Sequence, residues 1–304
     1  LRDGAAWARL AVRRIDEDAM TDRYFRPTRV SAFRTLAAVT WDAPRDPTIL
    51  GSAEVDVSLL QPHLQRVRDE TGTKVSMTHA VARAFAAALG AHPELNCLVR
   101  RGRLWQRRDV DVFCQVAVPA EDKTKLQGAD LSGVVLRQAD KLTTAGIATE
   151  LEKTASRIRN RDDPNLARIK NLLKWMPAWL AKRMLRLVSY LNHDWGMDLR
   201  WMGVPDDPFG SIMVTSLGMF GVRHAYAPLY PGGRCIGVVL VGAVFDKVVA
   251  IDGRPEVRPV LPLTIALDHR IIDGLQAAVM QREVVLRLED PTRLDVLTVA
   301  GEEG

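Results

Sequence analysis

Toward the C-terminal end of the chain the spacing of apolar positions changes from two to that of a helix. Leu263, Ile265 and Leu267 alternate with Thr264 and Ala266, which predicts a strand. Beyond Gly274, Leu275, Ala278, Val279, Val285, Leu286 and Leu288 fall mostly on one face and predict a helix packed through that face. Between the two lies the polar turn Asp268-His269-Arg270, then Ile271 and Ile272, which pull the chain back toward the core, then Asp273-Gly274, which opens the helix. A histidine held at such a junction can face a cleft.

Similar periods run back along the chain. Residues 1–30, rich in Arg and Asp, form an N-terminal arm with a short helix over Ala5–Val12, and 31–304 form the main domain. A strand is predicted over Ile49–Val57 and a helix from Ser58, its expected N-cap, to Thr71. A second helix begins at Val75–Thr78, buries Val81, Phe85, Ala88 and Leu89, and ends at His92-Pro93. Strands follow near Cys97–Val99 and Val110–Val118, then a solvated loop at Glu121–Thr124, a short strand at Val134–Leu136 and a helix over Thr143–Arg159. Later strands are expected within Gly210–Gly221 and over Ile236–Gly242, and the turn Asp252-Gly253-Arg254-Pro255 leads into the histidine-bearing strand.

The segment 162–208 reads as a helical insertion. Its stripe of Leu, Ile, Met and Val is broken by Pro177 into two pieces, and Lys170, Lys174, Lys182, Arg183 and Arg186 supply the polar side. A basic amphipathic pattern of this kind over 165–192 can lie on a membrane surface or cover a hydrophobic substrate channel. Packing on its own protein is the commoner outcome and is the expectation here.

Composition narrows the class. The chain has 304 residues, nearly half of them apolar, enough for a sizeable core. A net charge of +5 suits an anionic ligand but is too mild to argue for nucleic acid, and no groove-reading motif is present. Cys97, Cys114 and Cys235 are scattered in apolar surroundings without metal or redox spacing. They are expected to be reduced core residues of a cytoplasmic protein, with no metal site. No apolar run is long enough to span a bilayer and no secretory leader is evident.

Two strings carry chemistry. Asp268–Gly274, DHRIIDG, contains HxxxDG between an apolar strand and a C-terminal helix, and resembles the active-site signature of the 2-oxoacid dehydrogenase acyltransferase (E2) catalytic domains, relatives of chloramphenicol acetyltransferase. Gly210–Gly221, GSIMVTSLGMFG, resembles the strand-turn string of the same family, in which a hydroxyl residue precedes Asn or Ser and then Leu-Gly. The order of elements from 49 to 160 is similar to the first half of that core. The N-terminal arm and the insertion lie outside the resemblance.

The resemblance implies a chloramphenicol acetyltransferase-like α/β (α+β) two-layer fold, a mixed sheet covered by helices and carrying the helical insertion. It implies acyl transfer between a thioester, with coenzyme A or acyl-coenzyme A as substrate, and an acceptor thiol, hydroxyl or amine, with a lipoyl group, if one takes part, supplied only in trans. By position, His269 is the general base and Thr215 the donor to the oxyanion. An imidazole suits the first task because its ordinary pKa of about 6.5 leaves much of it unprotonated near neutrality. Asp273 is the structural carboxylate of the His loop, with Arg29 or Arg34 as its partner. Ser216 and Gly218 stand where the coenzyme would be contacted. The family resembled here forms trimers with active sites between subunits, so the resemblance, together with the single copy of each string, implies a site completed by a neighbour in a homotrimer or a larger assembly of trimers, with a lipoyl carrier or dehydrogenase complex as further partner. A free-standing acyltransferase for a small or lipid-like acceptor, and a non-catalytic trimeric scaffold, are the competing functions.

Overall fold

Strand β9, Arg254–Asp268, is the longest element of the sheet and pairs on both sides. The computed structural model describes residues 46–118, 130–159, 177–197, 199, 201, 207–229 and 232–296. The chain divides after Asp46, and the unit from Pro47 onward holds every described strand and helix.

The chain enters through β1 (Thr48–Asp56), α1 (Leu60–Thr71) and α2 (Met77–Ala91), then makes the hairpin β2 (Cys97–Arg100) and β3 (Arg103–Gln106). Strands β4 (Val112–Val118) and β5 (Asp130–Leu136) and helix α3 (Thr144–Arg159) follow. The inserted helix α4 (Ala178–Ser189) runs on into a π-helical turn over Tyr190–Asp194. Strands β6 (Ile212–Ser216), β7 (Gly237–Val241), β8 (Phe245–Ile251) and β9 then lead to α5 (Gly274–Glu289).

The main sheet has the order β1-β9-β7-β6-β4-β5, with β8 paired to the other half of β9. Strands β4, β6 and β7 run parallel and the remaining pairs antiparallel, so the sheet is mixed. Its helix-facing side supplies Val55, Ile212, Val214, Val239, Leu263 and Leu267 to the core, against Val81, Phe85 and Leu89 of α2 and Met280, Val284 and Leu288 of α5. The alternate residues of β6, β7 and β9 point to the opposite face, where the Thr264 hydroxyl donates to the Ala225 carbonyl.

Several local expectations change. Ser58 does not cap α1: its backbone N–H and hydroxyl both donate to Asp56 Oδ1, at 2.9 and 2.5 Å, so the carboxylate closes a turn before the helix and Leu59 takes the cap position. On α5 the buried residues are Met280, Val284 and Leu288, whereas Leu275 is 76% and Leu286 42% exposed. The burial stripe is therefore rotated from the one its apolar residues suggest. Strand β8 escapes the period-two test because its half-buried positions include Lys247 while its exposed ones include Val248. The hairpin β2–β3 turns at Arg101-Gly102, both at positive φ, as a two-residue hairpin loop requires. The arm 1–30, the loop Glu121–Thr124, and Arg29 and Arg34 lie outside the described residues, as does the first helical piece of the insertion.

Candidate active site

His269 is the first residue past β9. Its backbone N–H donates to the Pro47 carbonyl at 2.8 Å, which ties the turn to the start of β1. Asp268, buried at the last strand position, organises the rest. Its carbonyl accepts from the N–H groups of Ile271 and Ile272, and its carboxylate accepts from Arg270 Nη2 at 2.5 Å and from the Arg270 backbone N–H at 3.0 Å. The Asp268 N–H in turn donates to the Ile236 carbonyl at 2.9 Å. Ile271 and Ile272 are buried with Asp268, whereas His269, Arg270 and Asp273 are exposed.

The ring is oriented by one bond. His269 Nδ1 lies 2.9 Å from the Ile272 carbonyl oxygen, which can only accept, so Nδ1 carries the proton in the neutral ring. Nε2 is then the unprotonated nitrogen, the form a general base needs.

Asp273 does not face the ring. It caps α5: Oδ1 accepts from Gln276 N at 2.9 Å while Gln276 Oε1 accepts from Asp273 N at 2.9 Å, a reciprocal capping box. The ion pairs among the described residues do not include it. Arg270 pairs instead with Asp268 of its own turn. Asp268 is the site residue whose role was not evident from the string, and its only signal there was its place directly before the histidine.

Thr215 and Ser216 end β6, both partly buried. Leu217 N–H continues the ladder onto the Val241 carbonyl, and a Cβ at Gly218 would stand 2.7 Å from the Gly242 carbonyl oxygen, so only glycine allows this close approach. The turn after Thr215 is thereby pinned to the end of β7.

Register sets the distance between the two candidate catalytic groups. Thr215 is level with Leu240 of β7, and Leu240 with Thr264 of β9. His269 lies five residues beyond Thr264, about 16 Å along the strand at ~3.3 Å per residue and two strand spacings of ~4.8 Å across. Reacting groups must approach to ~3–3.5 Å, so within one chain these two cannot serve the same carbonyl. The structure brings His269, Asp268 and Arg270 together and leaves Thr215, Ser216 and Gly218 at the other end of the sheet.

None of the three cysteines competes as a nucleophile. All are free and buried, and burial pushes the Cys114 thiol up to about 12 and the Cys235 thiol up to about 11.

The family model for the 2-oxoacid dehydrogenases acyltransferase (catalytic domain) matches residues 21–163 and 206–296, passing over most of the inserted segment. The chain is 27% identical over 250 residues, 81% of its length, to the dihydrolipoyllysine-residue acetyltransferase component of the acetoin cleaving system of Bacillus subtilis. It is 25% identical over 242 residues, 78% of its length, to the mitochondrial dihydrolipoyllysine-residue succinyltransferase component of the mouse 2-oxoglutarate dehydrogenase complex. The chain spans about half the length of these relatives, 50% and 43%. Among solved structures it resembles a probable dihydrolipoamide acetyltransferase from Listeria monocytogenes, with a TM-score of 0.58 at 19% identity over 92% of this chain and 100% of that one. It also resembles the cubic core of a pyruvate dehydrogenase multienzyme complex, with a TM-score of 0.58 at 17% identity over 89% and 94% of the two chains. The structures show the shared fold, and the match to the family model, which covers more than half of the chain, shows that this protein belongs to the 2-oxoacid dehydrogenase acyltransferase catalytic-domain family.

Proposed function

We propose that the protein is a coenzyme A-dependent acyltransferase whose active site lies between two copies of the chain, His269 coming from one and Thr215 from the next. The observation that carries this reading is the register, which sets the two residues at opposite ends of one sheet. In a trimer the His269 end of one subunit meets the Thr215 end of its neighbour.

The chemistry rests on the neutral tautomer of His269. Nε2 takes the proton from an attacking thiol, of coenzyme A in one direction and of a dihydrolipoyl group in the other. The thiolate sulfur bonds to the thioester carbonyl carbon, and the carbonyl oxygen becomes an oxyanion that accepts a hydrogen bond from the neighbour's Thr215 hydroxyl. Collapse breaks the original carbon–sulfur bond, and the departing sulfur takes back the proton from Nε2. Asp268 and Arg270 hold the turn, the Ile272 carbonyl fixes the ring, and Asp273 sets the helix after it. The named relatives are acetyl- and succinyltransferases acting on dihydrolipoyllysine, which supports a dihydrolipoyl acceptor supplied in trans. Ser216 and Gly218 border Thr215 and are assigned to coenzyme contact.

Complementation tests the shared site. His269→Ala and Thr215→Ala chains, each inactive alone, are expected to recover measurable acyl transfer when coexpressed, because some interfaces of a mixed trimer carry both intact residues. If mixed oligomers confirmed by mass spectrometry stay inactive, the shared site is wrong.

A second reading keeps the mechanism and replaces the dihydrolipoyl acceptor by a small or lipid-like one. It is favoured by the inserted segment, which lies outside the family match. Thiol release from a panel of acyl-coenzyme A donors, with and without dihydrolipoamide, separates the two.

A further inference from the structure

Helix α4 packs on its own protein in an unusual sense. Met184, Val188 and Leu191 are only half-buried, and the helix is anchored through the π-helical turn at its C-terminal end. Asp194, buried there, accepts from Arg234 Nη2 at 2.6 Å and from the Arg101 N–H at 3.0 Å, while Arg100 Nε donates to the Asp194 carbonyl at 2.9 Å. These bonds clamp the end of the insertion to hairpin β2–β3. The outward face carries Trp179, Arg183, Leu187 and Tyr190, spaced by four, four and three residues, which places them on one side of the helix. Trp179 is 62%, Leu187 55% and Tyr190 47% exposed. The Arg183 guanidinium lies 5.7 Å from the Trp179 ring centroid.

The patch extends beyond the helix. Trp195 and Trp201 are exposed, and Arg101 stacks over the Trp195 ring at 4.2 Å. On the clamped hairpin, Trp105 is exposed with Arg100 over its ring at 5.1 Å. A face built for water alone would alternate charges of both signs, yet the charged residues of 177–193 are Lys182, Arg183 and Arg186, with no Asp or Glu, and Asp194 just beyond is buried in its pair with Arg234. Exposed indole and phenol rings with Arg100, Arg101 and Arg183 against the indoles match the interface of an anionic bilayer, where amphipathic rings sit at headgroup level and basic groups meet lipid phosphates. Among the described residues no helix is long and apolar enough to cross a membrane, so the contact is peripheral.

We infer that segment 177–197, with Trp201, is a docking surface for an anionic lipid bilayer, seating the protein by α4 with hairpin β2–β3 beside it. The inserted segment falls outside the family match, whereas the hairpin beside it lies within it. Neither His269 nor Thr215 takes part in it, and its failure would leave the acyltransferase assignment untouched.

The test is co-sedimentation of the full chain with vesicles of phosphatidylcholine alone or of equal parts phosphatidylcholine and phosphatidylglycerol. Binding is expected to the anionic vesicles and to fall as salt is raised. Each basic residue near such a surface strengthens partitioning about fivefold, so Arg183→Gln/Arg186→Gln should weaken it roughly thirtyfold. Trp179→Ser/Tyr190→Ser should also weaken it, with far-ultraviolet circular dichroism unchanged in both variants. Equal sedimentation with both vesicle types, or unaltered binding by a folded double-arginine variant, overturns the inference. So does concentration-dependent self-association abolished by Trp179→Ser/Tyr190→Ser without any vesicle binding, which would give the face to a second copy of the chain.

Discussion

At the scale of single residues, His269 and Asp273 share one string and have separable tasks. The exposed His269 ring makes one hydrogen bond, to Ile272, so removing it should cost the chemistry and little of the fold. His269→Ala is expected to lower acyl transfer at least roughly a hundredfold with an unchanged melting curve. Unchanged turnover in the folded variant would end the general-base assignment. Asp273 acts through the α5 cap, and an asparagine at that position caps nearly as well as aspartate whereas alanine does not. Asp273→Ala should lose about 1 kcal/mol in urea unfolding and Asp273→Asn much less. A large activity loss in the Asn variant with stability intact would instead give the carboxylate a direct part in the reaction. The DHRIIDG string displayed the candidate base directly, because a histidine followed by two apolar anchors must turn outward. It did not display the work of Asp268, because a carboxylate that binds backbone groups has no period of its own.

At the scale of elements, helix α2 couples its own start to pH. His79 Nδ1 accepts a hydrogen bond from the Ser76 N–H at 3.1 Å, so the ring must be unprotonated at Nδ1 to close the cap. Burial, opposed by the charge of Glu152, brings the His79 pKa from 6.5 down to about 4. Between these values the unfolded chain holds a proton that the folded chain does not, so stability is full above about 6.5 and falls as the pH is lowered toward 4. Urea unfolding at pH 7 and pH 5 should differ by about 2 kcal/mol from this group. His79→Gln keeps an acceptor at the cap and should remove that increment; an identical pH profile in the variant would place the titration elsewhere. Element positions were largely legible where apolar spacing followed burial, as in β1, α2 and β9. They were not legible in β8, where Lys247 takes a half-buried position and Val248 an exposed one, nor on α5, where Leu275 marks the wrong face.

At the scale of the whole molecule, one sheet sets His269 and Thr215 at opposite ends, and under the proposed shared site each chain carries two incomplete halves. A closed ring of chains related head to tail would complete every such half-site, and the proposed trimer is one such ring. The size in solution is expected to be a multiple of three, read by light scattering on the wild-type chain. A monomer with full activity would contradict the shared site directly.

The chain by itself determined the family and the identity of the candidate groups, because HxxxDG between a strand and a helix, and a hydroxyl before Leu-Gly at a strand end, are local patterns carried by adjacent residues. Only the tertiary structure decided how those groups stand to one another. The strand order β9-β7-β6 and its register place Thr215 level with Thr264 and His269 beyond the strand end, a relation between residues far apart in sequence that no local period encodes. The face of α4 left bare was likewise a tertiary outcome. Its apolar stripe is wide enough to cover a core on either side, and the Asp194 clamp on Arg234 and the β2–β3 hairpin selects which side turns outward.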